Sequence, residues 1–448
     1  MEQDEKWRKG FSPVQVLAIS FLATIVIGTF LLSLPISTRG ERLFVVDALF
    51  TATSATCVTG LVVVDTGSKF TPFGQAIILL LIQAGGLGIM TFSSLFTIML
   101  GKRIRIRDQM IIAESLSPLT IGGIRPLLKY TLIFTLICEA IGVFLLYPIF
   151  CKEFSPLVAG YYALFHSVSA FCNAGFSLFE TSFIKHQGNL GLNLIITTLI
   201  ILGGIGFMVV TDLISAFWKR GVDKARRVSL HTKLVLAVST ILIGVATLII
   251  FIFEGGNTMK GMPLLTKFLC TFFHAVTPRT AGFNTLDVGR FASTTLFLTI
   301  ILMFIGGSPG STAGGIKTST LGVVFGTVRS MLWNRKEIEL FGRSIPRDVA
   351  HRALSIITLS SLLVILSSIL LLMTEGEKDF LRILFEVVSA FGTVGLSTGI
   401  TPSLSFLGKL VIILTMFTGR IGPLTLAFIV GQRKPTSYKY PEEKVMVG

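Results

Sequence analysis

The sequence predicts an all-α polytopic membrane protein with eight full spans, arranged as four pseudo-symmetric repeats of span, pore loop and span around one central pore. Of its 448 residues, 52% are hydrophobic and only 14% are charged, whereas a soluble protein carries about 25% charged residues. Apolar runs long enough to cross a bilayer recur along the whole chain. A short motif that ends in glycine also recurs, once in each quarter of the sequence.

The predicted spans alternate with shorter apolar stretches. The long segments cover approximately residues 12–35, 73–100, 125–150, 190–218, 230–253, 291–307, 350–374 and 405–431. The short stretches lie near 44–56, 159–171, 266–278 and 379–391. Because these short stretches cannot cross a bilayer, we interpret them as re-entrant half-helices. The first long segment lacks a small-residue cleavage site, so we expect it to be a retained span and not a signal peptide.

These segments divide the chain into four repeats between two termini. The repeats cover residues 12–107, 108–228, 229–349 and 350–432, and the termini cover 1–11 and 433–448. Basic residues concentrate in the termini and connectors, for example at Lys102, Arg103, Arg105, Arg107, Lys219, Arg220, Arg226 and Arg227. Since Lys and Arg are enriched on the cytoplasmic side of membranes, we predict a multi-pass plasma-membrane protein with cytoplasmic termini. The net charge of +15 is then mainly a topology signal, and nucleic-acid binding is not needed to explain it.

A motif follows each predicted half-helix. A Phe lies ten residues before a Gly that precedes Leu or Phe, in FTATSATCVTGL, FHSVSAFCNAGF, FFHAVTPRTAGF and FEVVSAFGTVGL. The four glycines are 115, 107 and 113 residues apart. Half-helices direct the negative end of their dipole beyond their C-termini, and glycine permits backbone angles that turn carbonyl oxygens inward.

Rings of backbone carbonyls replace the hydration shell of K+ in potassium filters. We therefore predict that the three residues ending at each glycine line a selectivity filter that binds K+. These residues are Val58, Thr59, Gly60, Asn173, Ala174, Gly175, Thr280, Ala281, Gly282, Thr393, Val394 and Gly395. Each loop has one glycine in place of the fuller T-V-G-Y-G of potassium channels, so fewer carbonyl layers are enforced.

The later span of each repeat carries a glycine pair or its variant. The pairs are GGLG at 85–88, GGIG at 203–206, GGSP at 306–309 and GRIG at 419–422. Small-residue helix packing can account for the first two. The third opens GGSPGSTAGG, whose five glycines and one proline cannot continue a helix. Because irregular backbone at bilayer depth must be buried in protein or line water, we expect this loop to line the pore.

The pore loops, the stretch GGSPGSTAGGIKT and Arg420 resemble those of the KtrB/TrkH/HKT superfamily of potassium transporters over essentially the whole chain. Within it, the resemblance is strongest to the membrane subunits of bacterial Ktr systems. It implies sodium-dependent potassium uptake, with K+ and Na+ as transported or activating ions and with no cofactor or transition metal in this chain. It also implies a homodimer in the lipid bilayer, regulated by an octameric cytosolic ring of RCK subunits that bind nucleotide.

The resemblance further implies that loop 306–317 is an intramembrane gate. The implied gate residues are Gly306, Gly307, Ser308, Pro309, Gly310, Ser311, Thr312, Ala313, Gly314, Gly315, Lys317 and Arg420. The two basic residues would add positive charge to the ion path. The alternative for both is simple charge pairing, with Asp212, Glu139 or Glu386 as conceivable partners.

Other polar residues near the motifs have simpler interpretations. We expect Arg279 to hold the third loop by bonding buried carbonyls. Asp47 is expected to interact with the N-terminus of its half-helix, with attraction of cations at the surface as the lesser option. His166 and His274 lack a metal-ligand partner at i+4 and are interpreted as structural. The five cysteines form no C-x-x-C pair and are interpreted as small buried hydrophobic residues.

Competing functions are less compatible with the sequence. An enzyme is not indicated, because H-E-x-x-H and paired intramembrane carboxylates are both missing from the sequence. An alternating-access carrier usually has inverted repeats in two halves, whereas the four units here enter and leave on the same side. A pure scaffold would not need four filter-like loops. The alternative that remains is a less selective Na+/K+ channel or transporter of the same fold.

The third connector, from Arg329 to Arg352, is rich in basic residues. We interpret it as a docking surface for a cytosolic partner, and a purely solvated basic loop is the alternative.

Overall fold

The computed structural model describes residues 13–88, 124–218, 228–335 and 337–422, and it is mostly helical. The helices are α1 Pro13–Ser33, α2 Val45–Thr56, α3 Pro72–Leu87, α4 Ile124–Phe150, α5 Pro156–Phe171, α6 Leu190–Gly204, α7 Phe207–Trp218, α8 Leu230–Glu254, α9 Leu264–Val276, α10 Ser293–Phe304, α11 Thr318–Leu332, α12 Arg347–Thr374, α13 Phe380–Gly392 and α14 Phe406–Ile421. The basic residues named above at 102–107 and 219–227, and both termini, lie outside the described residues.

Several described helices are long and apolar enough to cross a membrane. They are Gln15–Ser33 within α1, Lys129–Phe150 within α4, α8 and α12. The pair α6 and α7 is a fifth candidate, bent by 96° at the break between them. The helices found in three other predicted spans are shorter than those spans. Helix α3 ends at Leu87, α14 ends at Ile421 and α10 has only 12 residues. Residues 89–100 and 423–431 of the predicted spans lie outside the described part. The prediction of several apolar spans is confirmed, and the count of eight stays a prediction.

Helix starts follow from local sequence. In five helices, the side chain of the residue before the helix accepts a hydrogen bond from a backbone N–H in the first turn. These residues are Thr71 before α3, Asn189 before α6, Ser229 before α8, Asp379 before α13 and Ser405 before α14. Such caps satisfy donors that the first helical turn leaves unpaired. Proline at the first position also begins α3 and α5, because its fixed φ suits a helix start and its missing N–H is not needed there.

The short helices α2, α5, α9 and α13 lie where the half-helices are predicted. Most of their residues are buried, and Phe50, Phe165, Phe273 and Phe385 are fully so. Two large apolar clusters surround them, one joining α2, α3, α5 and α6, and the other joining α10, α12, α13 and α14. In the third motif the fully buried ring is Phe273 and not Phe272, which starts the motif.

A small β-hairpin departs from the all-α prediction. Strands β1 (Ile338–Leu340) and β2 (Arg343–Ile345) pair antiparallel between α11 and α12. Phe341 and Gly342 have φ of 51° and 73°, the conformation of a two-residue turn that matches strand twist. Ile338, Leu340 and Ile345 pack with α8, α11 and α12. Three-residue strands are too short to show a clear alternating pattern in the sequence.

Candidate functional site

The four predicted filter loops leave their half-helices with the same backbone conformation. The residue two positions before each glycine has positive φ, at 57° for Val58, 58° for Asn173, 76° for Thr280 and 50° for Thr393. The glycines have φ of 90° for Gly60, 69° for Gly175, 80° for Gly282 and 89° for Gly395. Positive φ is unfavourable for β-branched residues, so Val58, Thr280 and Thr393 must be held in place by their surroundings.

The glycines pack the loops into a closed ring. A Cβ built on each glycine would approach a carbonyl oxygen of the next loop, at 2.4 Å from Gly60 to Ala174, 2.8 Å from Gly175 to Ala281, 2.4 Å from Gly282 to Val394 and 2.2 Å from Gly395 to Thr59. All four distances lie below 3.0 Å, which real Cβ atoms essentially never show. Any side chain at these positions would therefore have to displace the backbone of a neighbouring loop.

The ring presents backbone oxygens without protein partners. Within the described part of the chain, the carbonyls of the twelve predicted filter residues accept no hydrogen bond. Buried carbonyls are otherwise nearly always paired. All four glycines also line one cavity of about 180 Å³, to which Asp65 and Glu180 contribute. The arrangement suits a desolvated cation, with carboxylates nearby to attract it.

Buried side chains hold three of the loops from behind. Nε2 of His166 accepts a hydrogen bond from the Leu178 N–H at 3.2 Å. Nε2 of His274 accepts from Leu286 at 3.1 Å, and Oε1 of Glu386 accepts from the Thr398 N–H at 2.9 Å. In each case the donor lies twelve residues after the anchor. The interpretation of both histidines as structural agrees with these contacts.

Hydroxyl groups add a second set of anchors that the sequence reasoning missed. Ser54 and Ser389 each accept a hydrogen bond from the N–H of a filter glycine, Gly60 and Gly395, at 3.1 Å. Ser169 donates to the Phe176 carbonyl at 2.7 Å, and Thr277 donates to the Phe283 carbonyl at 2.6 Å. The signal was visible, since three of the four motifs carry Ser six residues before the glycine.

The glycine pairs of the later spans touch the ends of the half-helices. A Cβ would lie 1.9 Å from the Thr56 oxygen at Gly85, 1.9 Å from the Phe171 oxygen at Gly203 and 2.0 Å from the Phe391 oxygen at Gly419. Each of these oxygens belongs to the residue four positions before a filter glycine. The small-residue packing expected for the first two pairs therefore brings a helix directly against the base of a filter loop.

The loop between α10 and α11 lies against α5 and α6. Ser308 and Thr312 donate backbone hydrogen bonds to the carbonyls of Gly204 and Gly203, at 3.0 and 3.2 Å. The Thr312 hydroxyl also contacts the Phe171 carbonyl at 3.3 Å. Ser308 and Thr312 of this loop are fully buried, whereas Pro309, Gly310 and Ser311 are partly exposed. The polar backbone groups of this irregular loop form hydrogen bonds largely with protein atoms, as irregular backbone at bilayer depth requires.

Arg420 and Lys317 both donate to backbone carbonyls. Arg420 bridges two segments, because Nη1 donates to the Thr312 carbonyl and Nη2 donates to the Gly85 carbonyl. Lys317 Nζ donates to the Ala313 carbonyl at 2.6 Å. Arg420 thereby ties the loop to the end of α3.

The acidic partners considered for these two residues are engaged elsewhere. Glu139 contacts Gln83 at 3.4 Å, Asp212 accepts from Thr232 at 2.6 Å and Ser229 at 2.9 Å, and Glu386 holds the fourth loop. The charge-pairing alternative is therefore not what the structure shows.

Two other predictions fare differently. Asp47 lies in the first turn of α2, as expected, and it also forms an ion pair of 2.6 Å with Lys409 of α14. For Arg279 the predicted bonding to loop carbonyls is wrong, since within the described residues its guanidinium makes no hydrogen bond and its buried Nε has no partner. The cysteines Cys57, Cys138, Cys172 and Cys270 are free and buried, whereas Cys151 is only partly buried.

Comparison with known proteins identifies the family. A family model described as TrkH, cation transport protein, matches residues 3–438. The chain is 44% identical to the Ktr system potassium uptake protein B of Bacillus subtilis, over 99% of this chain and 98% of that protein. It is 39% identical to the potassium/sodium uptake protein NtpJ of Enterococcus hirae, over 98% of each.

A solved structure shows the same fold. The crystal structure of the potassium transporter TrkH from Vibrio parahaemolyticus matches with a TM-score of 0.68 and 20% identity, over 92% of this chain and 84% of that one. The family and these relatives are described as transport proteins, in agreement with the prediction that the chain is not an enzyme.

Proposed function

The chain belongs to the TrkH family of cation transport proteins, and from this premise we propose that it is the membrane subunit of a potassium uptake system in which K+ passes through the ring of four loops. One observation carries the proposal: each filter glycine packs on a carbonyl of the next loop, so that the loops close into a ring around one cavity. The twelve unpaired carbonyls supply oxygen ligands that can replace the water around K+.

The architecture that we propose for this function has eight spans in four repeats, with the boundaries predicted from the sequence and both termini in the cytoplasm. It is supported by the four half-helices and by the contact between glycine and half-helix that recurs at Gly85, Gly203 and Gly419. The third repeat departs, because a Cβ at Gly306 would meet the Gly314 oxygen at 2.0 Å within its own loop. In the third repeat this glycine therefore packs against loop 306–317, whereas in the other three repeats it packs against the end of a half-helix.

We propose that loop 306–317 and Arg420 form the gate. A gate must have two arrangements of similar free energy, because a regulator can shift an equilibrium only through differential binding. Glycines supply backbone freedom, and Gly310 and Gly315 do adopt positive φ, at 66° and 64°. The Arg420 bridge to Thr312 and Gly85 would hold one of these arrangements.

Sodium dependence and regulation extend the proposal. The Enterococcus relative is named for both potassium and sodium, which supports sodium-dependent uptake and keeps a less selective Na+/K+ pathway as the second candidate. The Ktr relative belongs by name to a multi-component system, which supports a cytosolic partner. We propose a homodimer that carries an RCK ring, with the ring binding the nucleotide.

The surface proposed to dock the ring is the third connector. Trp333 is largely exposed, and two guanidinium groups lie over its ring, that of Arg329 at 4.2 Å and that of Arg335 at 5.3 Å from the ring centroid. The neighbouring hairpin places Arg343 and Phe341 on the surface. Charge reversal of Arg335 and Arg343 should weaken co-purification with the ring without affecting insertion. Unchanged affinity at moderate salt would place docking on another surface.

Growth rescue tests the transport function directly. The chain, expressed with its regulator in a bacterium that lacks potassium uptake, should restore growth at low potassium, and sodium should increase the rescue. Rescue that is equal with and without sodium would favour the less selective pathway. A well-expressed chain that restores no growth under either condition would contradict potassium uptake.

A further inference from the structure

A second cavity lies beside the third loop, between this loop, α6 and α8. Its volume is about 210 Å³, and Ile201, Gly204, Leu236, Ser239, Ile243 and Arg279 are among the residues that line it. Apart from Arg279, Ser239 and Thr240, the lining residues are apolar or glycine. A cavity of about 150 Å³ already holds a benzene molecule, so this space can hold a small ligand or an ion with a few waters.

The polar groups of this cavity lack partners. Arg279 is only 8% exposed, and within the described part of the chain its guanidinium forms no hydrogen bond or ion pair, with Nε both buried and unpaired. The hydroxyl of Ser239 is also buried and unpaired. Removing one partner from a buried ion pair is strongly destabilising, so an uncompensated guanidinium at this depth calls for a counter-charge.

The described part of the protein supplies no such counter-charge. No carboxylate lines the cavity among the described residues. The carboxyl of Glu254, on the same helix as Ser239, accepts hydrogen bonds from Thr258 at 2.7 Å and from the Ala292 N–H at 2.9 Å. Asp212 is held by Ser229 and Thr232, as described above. Both carboxylates are thus committed to other groups.

We propose that the cavity binds a small monovalent anion of the halide class, with the Arg279 guanidinium as its charge partner and the Ser239 hydroxyl as a second donor. A halide needs few donors and tolerates apolar contacts over the rest of its surface. Phosphate or sulfate would bring several oxygens and two charges, which the mostly apolar wall could not stabilise. Water could fill the space but would leave the charge uncompensated.

The lining of this cavity includes none of the twelve predicted filter residues, although Arg279 directly precedes Thr280 of the third loop. An anion at this position would neutralise a positive charge close to the filter, where like charges repel K+ most strongly because the surroundings are poorly polarisable. The inference does not depend on which cation is transported.

Thermal stability as a function of the anion tests the proposal. The purified full-length protein is held at constant K+ and constant ionic strength while chloride is exchanged for gluconate, whose hydroxyl groups the mostly apolar wall could not pair. A bound halide stabilises the folded state according to its concentration over Kd, so the melting temperature should fall in gluconate and recover in chloride or bromide. Absence of any halide dependence in the unmodified protein would overturn the proposal.

Two variants locate the effect. Ser239→Ala should weaken the apparent halide affinity about tenfold or more, since a hydrogen bond to a charged group contributes about 1.5–3 kcal/mol. Ser368→Ala is the matched control, because it removes a buried, unpaired hydroxyl from α12, outside the cavity. Arg279→Gln should abolish the halide dependence. Where this variant fails to fold, Ser239→Ala decides by itself.

Bromide provides a direct readout. Crystals of the protein in bromide should show an anomalous scattering peak between Arg279 and Ser239, and the peak should be lost in Ser239→Ala or Arg279→Gln. A halide dependence that survives these substitutions, or a peak only at other positions, would show that the halide binds elsewhere and would refute the assignment.

Discussion

At the scale of single residues, the filter glycines combine two requirements that a sequence cannot separate. One is a positive φ, and the other is the absence of a side chain where two backbones meet. Gly395 and Gly399 share the first, with φ of 89° and 94°. Only Gly395 has the second, because its Cβ would lie 2.2 Å from the Thr59 oxygen while a Cβ at Gly399 would meet nothing within 4 Å.

This pair gives a controlled test of the ring. Both Gly395→Ser and Gly399→Ser place an L-residue at positive φ, at a cost of about 1–2 kcal/mol each. Gly395→Ser also pushes on the first loop, so we expect at least a tenfold loss in apparent potassium affinity or uptake rate. Gly399→Ser should retain near-normal transport. Potassium uptake kinetics in cells with matched expression decide the matter, and equal kinetics for the two variants would argue against a steric ring.

Arg420 allows a similar separation of charge from contact. If the residue acts as a tether, Arg420→Lys should behave like Arg420→Ala, because an ammonium is a point charge and lacks the fork that reaches two carbonyls. If it acts only by positive charge, the Lys variant should resemble the unmodified chain. We expect the tether, and therefore a higher, less regulated potassium flux in both variants. Flux measured in vesicles with and without the regulator distinguishes the two mechanisms.

At the scale of helices and loops, apolar length and one motif predicted several membrane-length helices and the four short half-helices. The four half-helices lie within a few residues of their predicted bounds because a short apolar run followed by glycine has few alternatives. The partners of Arg420 could not be predicted, since Thr312 and Gly85 lie 108 and 335 residues away in the chain. The contacts of the loop between α10 and α11 could not be predicted for a related reason, because its hydrogen-bond partners lie on α5 and α6.

The proposed gating role of loop 306–317 can be tested by changing the side chain of Thr312. Thr312→Val keeps the shape of the side chain but removes the hydroxyl that contacts the carbonyls of Phe171 and Gly203. A loss of about 1 kcal/mol from the closed arrangement would raise the open fraction roughly fivefold, with a corresponding rise in flux. Thr312→Ser retains the hydroxyl and serves as the control. Flux that is unchanged in the Val variant would indicate that these bonds form in both arrangements.

A deletion addresses the loop as a whole. Removal of residues 310–314 should raise potassium flux and make it much less dependent on the cytosolic regulator, because the deleted residues include the Thr312 contact with Arg420. Uptake into vesicles, with and without the regulator, provides the measurement. A variant that assembles and still transports at the normal, fully regulated rate would show that the loop only packs and that the gate lies elsewhere.

At the scale of the whole molecule, an ion pair joins elements from the two ends of the chain. Asp47 of α2 and Lys409 of α14 are 362 residues apart and form a 2.6 Å contact with little exposure on either side chain. The pair joins the start of α2, which precedes the first loop, to the start of α14, which follows the fourth loop, and these two loops meet where Gly395 packs on Thr59. The ion pair therefore helps to hold the first and fourth loops together. These two loops are far apart in the sequence, whereas the other neighbouring loops are separated by shorter stretches of chain.

A double-mutant cycle measures this closure. Lys409→Met and Asp47→Asn should each destabilise the folded protein by about 1–3 kcal/mol, with strong coupling between them, because breaking one side leaves a poorly solvated charge. The exposed pair Arg335–Glu339, with about half of each side chain accessible, is the control and should contribute less than about 1 kcal/mol. Additive effects for Asp47 and Lys409 would indicate that the pair does not act as a unit.

The closure of the ring from four unlike loops of one polypeptide also bears on how such a protein can evolve. In an assembly of four identical subunits, every mutation near the axis appears four times, so most changes are lost. Here a mutation alters one quarter and leaves three intact. The third quarter can thus carry a glycine-rich loop, and the fourth can carry Arg420 where the other three carry a glycine, without a simultaneous cost at the other positions. In a single chain, each of the four loops can therefore change by mutation while the other three stay the same.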